Sequence, residues 1–575
     1  MAPVAKQRVG GQTAAPADCT ISPRCRLKGG FELQLSLQVQ SRRPGRIAVA
    51  SAIWAASIFI SRIIGLVREQ VIGRTLGATR EADLYFASFT LPDFLNYLLA
   101  AGALSIVFIP IFVEYVERDE PEKAWRALSV VANFVVIVGG AAIAVFMIFA
   151  RPLAGFVAPG FSSGELDYLA HLIRIILPAQ LFLITGGLLS AALQAQDRHL
   201  LPAMAPLVYS GGIIVGGLAG DHFGAGADGF AWGVLFGAAL GPFALPLLGC
   251  LKAKMRWFPI VSLTNADLKR YLWLSLPIMI GFSIVAVDEW IIKNQASYLA
   301  PGALSYLQYG RTLMKVPIGV FGMAIGVASY PTVSRMVAAG AIVEAYGTLA
   351  HAVRLMLFLT FAAQVCLTLV GFEAAYLIWG ILSRHFTIDD AQMTGTVLAF
   401  LSLGLGGWAA QSVISRGFYA LGSTWLPTAV GTAVACCAIP IYVLLREIYG
   451  AIGLAIASAV AIIVYVLLLG SLQYLRFKRE AAARNDNLDR VSGMLDPAAR
   501  MAGACGVAIA AGFVVHRALP PFLLVMNLDV ILLRSGLLCI VGLGVYIAIA
   551  QLLAVKEVRE VQEIIRRAIS QRKAH

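Results

Sequence analysis

Apolar windows separated by charged or Gly/Pro-rich breaks recur along almost the whole chain, and each is long enough to cross a bilayer as a helix of about 20 residues. Their limits are 47–67, 83–113, 127–150, 168–194, 203–220, 228–250, 270–296, 303–334, 351–372, 391–418, 427–446, 450–475, 499–516 and 530–554. The pattern predicts an all-α polytopic membrane protein with about fourteen transmembrane helices. The stretch 373–383, with Glu373 and Trp379, is too short to cross alone and is expected to be a break.

Prolines mark two related halves. Pro92 and Pro317 are 225 residues apart, as are Pro202 and Pro427, while Pro110 and Pro331 differ by 221. Proline is common at membrane helix ends, so chance remains the alternative. As a repeat, the pattern predicts two pseudo-symmetric six-helix lobes, 47–250 and 251–475, able to rock against each other. It leaves 499–555 as an added pair of helices, 476–498 as a cytoplasmic linker, 1–46 as a disordered cytoplasmic tail and 556–575 as a basic cytoplasmic tail.

Composition excludes a water-soluble enzyme: of 575 residues, 59% are apolar and only 13% charged, about half the charge of a soluble chain. The net charge of +13 fits orientation and anionic lipid rather than nucleic acid. With the amino terminus inside, thirty Lys and Arg fall in inner segments and six in outer loops. That asymmetry places both termini in the cytoplasm. The eight cysteines form no metal or disulfide pattern. Residues 1–46 hold no apolar run of signal-peptide length. No phosphate-binding loop, HExxH or dinucleotide fingerprint occurs, so no cofactor and no metal are expected.

Charges inside spans are costly, so they mark wet cavities or paired sites. The first span reads SRIIGLVREQVIGR, with Arg62, Arg68 and Glu69 around Gly65. Arg62 and Arg68 face one cavity only if the helix bends, and Gly65 is the place where bending is cheapest. The alternative for Arg68 and Arg74 is snorkelling to headgroups. In the eighth span, Arg311 and Lys315 are four apart, hence on one face, just before Pro317. Such a pair suits a phosphate or diphosphate. The competing reading is a salt bridge to Asp288 or Glu289, which with Asp83 are also candidates to take up a coupling cation. Asp93 beside Pro92 fits a helix cap as readily as such a charged role. Lys293, Arg174, Arg354, Arg416 and Arg534 read as interfacial or lipid-facing.

The stretch SRIIGLVREQVIGRTLGATREADLYFASFTLPDFLNYLLAAGALSIVFIPIFVEY (61–115) resembles the opening of the MurJ (MviN) family of lipid II flippases, within the multidrug/oligosaccharidyl-lipid/polysaccharide exporter superfamily. VAPGF (157–161), LLSAALQAQDRHLLPAMAP (188–206), YGRTLMKVPIGVFGMAIGVASYPTVS (309–334) and RGFYALGSTWLPT (416–428) support the resemblance, which covers about 47–555. It implies a bacterial inner-membrane flippase for an undecaprenyl-pyrophosphate-linked glycan, in contact with membrane lipids and with cell-wall synthesis proteins. It also implies cavity arginines at Arg62, Arg68 and Arg311, an acidic residue at Asp83, and a polyprenyl-tail groove in the last two helices. Glu69 and Lys315 join the expected substrate site, with Gly65, Pro92 and Pro317 as hinges.

The chain departs from the family pattern where Asn96, Tyr97 and Ala101 replace an arginine pair and a glutamate. The eleventh span has no carboxylate before Arg446, which argues against a sodium site there. The competing functions are a flippase for another polyprenyl-linked oligosaccharide, a drug or cation antiporter, and a membrane-embedded enzyme. Excess cavity arginine disfavours the antiporter, and the lack of a nucleophile–base set disfavours the enzyme.

Overall fold

The computed structural model describes residues 44–99, 103–381, 383–423, 425–488, 493–520 and 527–573, and these contain helices and no strand. Among the described residues every apolar window lies on helix or on the short turns that join helices. α1 (Pro44–Leu76) carries the first window and runs unbroken through Gly65, the expected hinge. The second window is divided into α2 (Arg80–Ser88), α3 (Thr90–Leu99) and α4 (Ala103–Glu117). The first division falls at Phe89, one turn before Pro92, where a proline ring crowds the preceding turn and supplies no N–H.

α5 (Pro121–Ile148) and the short α6 (Ala150–Val157) precede α7 (Ser163–Gln194), which opens with a Ser162/Glu165 capping box. α8 (Leu200–Phe223) is followed by α9 (Gly226–Ala238) and α10 (Leu245–Lys252), the latter two joined by a π-helical turn, Ala239–Ala244, around Pro242. α11 (Ala266–Ala296) opens the second half. α12 (Ala303–Pro317) passes through a π-helical turn, Ile318–Gly322, into α13 (Met323–Ala338), so the chain departs from α-helix directly after Pro317.

α14 (Ile342–Leu369) leads to α15 (Gly371–Ala375) and a π-helical turn, Tyr376–Gly380, in the stretch read as a break. α16 (Ile388–Ser402) and α17 (Leu405–Ala420) form one span bent by 42°. α18 (Trp425–Ala482) carries the eleventh and twelfth windows, with Gly450 at φ 59° as its single non-helical turn. α19 (Leu495–Ala518) and α20 (Leu528–Leu552) are the added pair.

The basic tail is itself a helix, α21 (Lys556–Lys573). Its buried Glu557 accepts from Arg354 Nε at 2.8 Å. Arg354 therefore ties the tail to α14 instead of facing lipid. Among the described residues eight helices, or nine with the bent pair, are long and apolar enough to cross a membrane unaided. Of the remaining windows, the second and the eighth are cut into shorter pieces by the turns above, whereas the first and the seventh lie on the continuous α1 and α11.

The order of long helix, short helix and long span occurs twice, as α5–α6–α7 and as α14–α15–α16/α17. Buried side chains form three cores. One core lies within the first half and the start of α11, including Phe108, Leu128 and Tyr271. A second joins α13, α14, α17 and α18 to α19–α21, including Phe358, Phe418 and Tyr546. The third is shared by both halves, bringing Tyr85, Leu172 and Phe230 together with Tyr309, Trp379 and Leu454. The halves are thus fused at the end carrying the 77–79 and 297–302 turns, and have separate cores at the other.

Candidate functional site

The charged residues of α11 and α12 meet face to face. Arg311 Nη2 donates to Asp288 Oδ2 at 2.5 Å, and its Nη1 stands 3.6 Å from Glu289 Oε1. Lys315 Nζ donates to the same Glu289 oxygen at 3.0 Å. Tyr442 of α18 donates its hydroxyl to the other oxygen of Asp288 at 2.9 Å, and Trp408 of α17 lies 5.9 Å under the Arg311 guanidinium. Arg311 is buried, with 7% of its side chain exposed, whereas Lys315 keeps 55%.

Lys293, read from sequence as interfacial, is instead buried, one helical turn beyond Glu289. Its charge interacts with Glu289 and with Asp93 of α3. Tyr97, at one of the positions where the chain departs from the family pattern, lies within electrostatic range of Asp93, Glu289 and Arg311. Asn96 is half-buried on α3, and Ala101 lies outside the described residues.

α1 delivers Arg62 to the bend that follows Lys315. A Cβ built on Gly319 would stand 3.4 Å from Arg62 Nη2, one helical turn beyond Lys315. Arg62 is exposed and has no acidic partner among the described residues. Arg68 is separate: it donates to Glu69 at 2.8 Å and interacts with Tyr85 and Tyr209 of the first half. Arg62, Arg311 and Lys315 therefore share one stretch, with Arg68 and Glu69 forming their own pair.

Asp83 is at the fused end and makes a different kind of contact. Its Oδ1 accepts from Ser305 N and Ser305 Oγ at 2.8 and 2.7 Å, and its Oδ2 from Gly302 N at 2.8 Å. A carboxylate on the free N–H groups of a helix start also opposes the positive end of the helix dipole. Around it, Arg80 donates to Leu299 O, Tyr309 to Gly77 O and Ser383 to Gly73 O. Gly302, at φ +89°, is needed twice over, because a Cβ there would come within 2.4 Å of Ala78 O. Gly302→Ala is expected to lower the thermal midpoint of the purified protein. Gly65→Ala, whose Cβ meets nothing within 4 Å, leaves it unchanged. A thermal-shift measurement in detergent compares them.

At the opposite end α11 is held to the first half. Tyr115 donates to Asp267 at 2.9 Å and Arg270 to Glu114 at 2.7 Å. The Arg270 guanidinium keeps the Glu114 carboxyl below its usual range. Asn133 donates to the carbonyls of Phe258 and Ile260.

A profile of the family described as "Lipid II flippase MurJ" matches residues 72–520. The chain belongs to the MurJ family. A protein of Thermotoga maritima described as a probable lipid II flippase MurJ is 27% identical over 407 residues, 70% of this chain and 81% of that one. The lipid II flippase MurJ of Burkholderia cenocepacia is 29% identical over 388 residues, 65% of this chain and 73% of its own. The fold matches a MurJ structure in an inward closed conformation with TM-score 0.69 at 20% identity, covering 87% of this chain and 98% of that one. It also matches an inward-facing multidrug-resistance MATE transporter with TM-score 0.64 at 13% identity, over 75% and 98% of the two chains. This MurJ-family chain is a polytopic all-α membrane protein.

Sequence reasoning passed over four residues of this charged cluster. Tyr442 and Trp408 look like any aromatic in an apolar span. Asp93 carried a usable signal, an acid inside a span, but a cap fitted it equally well. Lys293 carried the same signal, since a lysine four residues after a glutamate shares its helix face.

Proposed function

We propose that the protein flips lipid II, the polyprenyl-diphosphate-linked peptidoglycan precursor, from the inner to the outer leaflet of the bacterial cytoplasmic membrane. One observation carries the site assignment: Arg311 and Lys315, on one face of α12, meet Arg62 from α1 at the break after Pro317. Three bases from two halves of the molecule suit a diphosphate, Arg by its planar fork and Lys as a point charge. No bond in the substrate changes, so the work is movement.

In this reading residues 47–250 and 251–475 are the two lobes, and the termini and the 476–498 linker are cytoplasmic. The separate cores then lie on the cytoplasmic side and the shared core on the periplasmic side. In this reading the shared core and the Asp83 contacts seal the site outwards. Headgroup capture by Arg62, Arg311 and Lys315 precedes rocking about the breaks at Pro92 and Pro317, and residues 499–555 offer an apolar path for the polyprenyl tail. Arg68 and Glu69 are contacts met later on the route. A coupling cation at Asp288 and Glu289 has to compete with the bases already paired to them.

Complementation of a bacterium depleted of its own lipid II flippase tests the reading. Wild type is expected to rescue growth, and Arg62→Ala and Arg311→Ala, at matched membrane abundance, to fail. Rescue by both variants would overturn the site assignment. Failure of inserted wild type would turn the reading to another polyprenyl-linked glycan.

A further inference from the structure

Around Arg311 and Lys315 charges balance one for one, while Arg62, the third base, has no acidic partner among the described residues. Asp93, Asp288 and Glu289 face Lys293, Arg311 and Lys315, and Arg68 is paired with Glu69. Two adjacent carboxylates on one turn of α11 engage two bases four residues apart on α12. They carry two negative charges, the number on a diphosphate diester. We propose that Asp288 and Glu289 are an internal stand-in for the substrate's diphosphate, occupying Arg311 and Lys315 until a ligand with two linked negative charges displaces both. This inference rests on the diphosphate reading of the site.

The stand-in has a selective consequence. The site is surrounded by phospholipids, whose headgroups carry a single phosphodiester charge. A monoanion that displaces only one carboxylate gains one ion pair and leaves a partly buried acid without its partner, which is unfavourable. A dianion replaces both interactions at once. Discrimination thus comes from a competitor built into the protein rather than from extra contacts to the substrate.

The displaced groups have places to go. Glu289 has Lys293 four residues along its own helix, in reach of the same face. Asp288 keeps its bond from Tyr442 and borders a cavity also lined by Gln411, Ser415 and Tyr465, whose polar groups can hold water against a released carboxylate. The exposed side of Lys315, with 55% of its side chain accessible, is where an incoming headgroup makes first contact.

Full-length protein in nanodiscs, titrated with lipid II and challenged with dioleoyl phosphatidylglycerol, separates the outcomes. Glu289→Gln keeps the side-chain shape but removes the competing charge. It is expected to bind lipid II about tenfold more tightly, the effect of losing one competing interaction of roughly 1.4 kcal/mol, and to admit phosphatidylglycerol as a competitor that wild type ignores. Weaker or unchanged lipid II binding by a Glu289→Gln protein with wild-type thermal midpoint would mean that Glu289 merely positions Lys315, and would overturn the inference. Arg311→Ala is the separate control on the site: if it binds lipid II as wild type does, the diphosphate reading itself falls.

Discussion

Arg534→Met is expected to destabilise the folded protein by about 3–5 kcal/mol, because it strands the Glu373 carboxylate away from water. Arg534 Nε stands 2.9 Å from Glu373 Oε1, with 4% and 2% of the two side chains exposed. The guanidinium also lies 5.9 Å over the Phe372 ring. The pair joins α20 to the short α15 and so fastens the added helices to the second half. Far from facing lipid, as its place in an apolar span suggested, Arg534 is buried. The double variant Arg534→Met/Glu373→Leu should regain most of the loss, since removing both charges also removes their desolvation cost. Thermal unfolding in detergent distinguishes the cases, and a double variant as unstable as the single one would rule out the ion pair as the cause.

The second large effect is on conformation. Asp83→Ala removes three hydrogen bonds that join α2 to the start of α12. Bonds to a charged group contribute about 1.5–3 kcal/mol each, and about 5.5 kcal/mol is enough to turn a 1:99 equilibrium into 99:1. The variant is therefore expected to open at the fused end and to lose transport. Asp83→Asn is expected to be intermediate: its one carbonyl oxygen can keep the Ser305 bonds, but its NH2 then opposes the Gly302 N–H. Leu304→Cys, buried in the shared core, reports the change in a background without native cysteines. A membrane-impermeant maleimide added from outside should label it in the Asp83→Ala protein only. Equal protection in both backgrounds would show that Asp83 does not hold this end shut.

Long apolar runs were legible as helices because length and hydropathy act locally, and the breaks at Pro92 and Pro317 because a missing N–H acts within one turn. Where a charge goes is a tertiary matter. The acid of Arg534 lies on α15, 161 positions earlier in the sequence, and the only hint was an acidic residue in a segment too short to cross. Asp83 was recognisable as an expensive charge near a span end. That it holds backbone N–H groups of α12 depends on the two halves meeting. The neutral pairing at Asp288, Glu289, Arg311 and Lys315 was open in advance to both readings, and the structure places salt bridges on the same face that the bases offer to an anion. Gly65 was chosen for its flexibility, and the helix assignment of α1 continues through it.

The loop-free turn at Gly450 bears on how the chain enters the bilayer. The two legs of α18 are joined by so little polar backbone that neither can be handed to the membrane alone. Between Trp425 and Leu475 the only formal charges are Arg446 and Glu447, which pair with each other at 3.1 Å. If this segment enters as a helical hairpin, the pairing lets a self-neutralised dipeptide cross together with its turn. Lengthening that turn with charged residues would burden biogenesis before it altered anything in the finished protein.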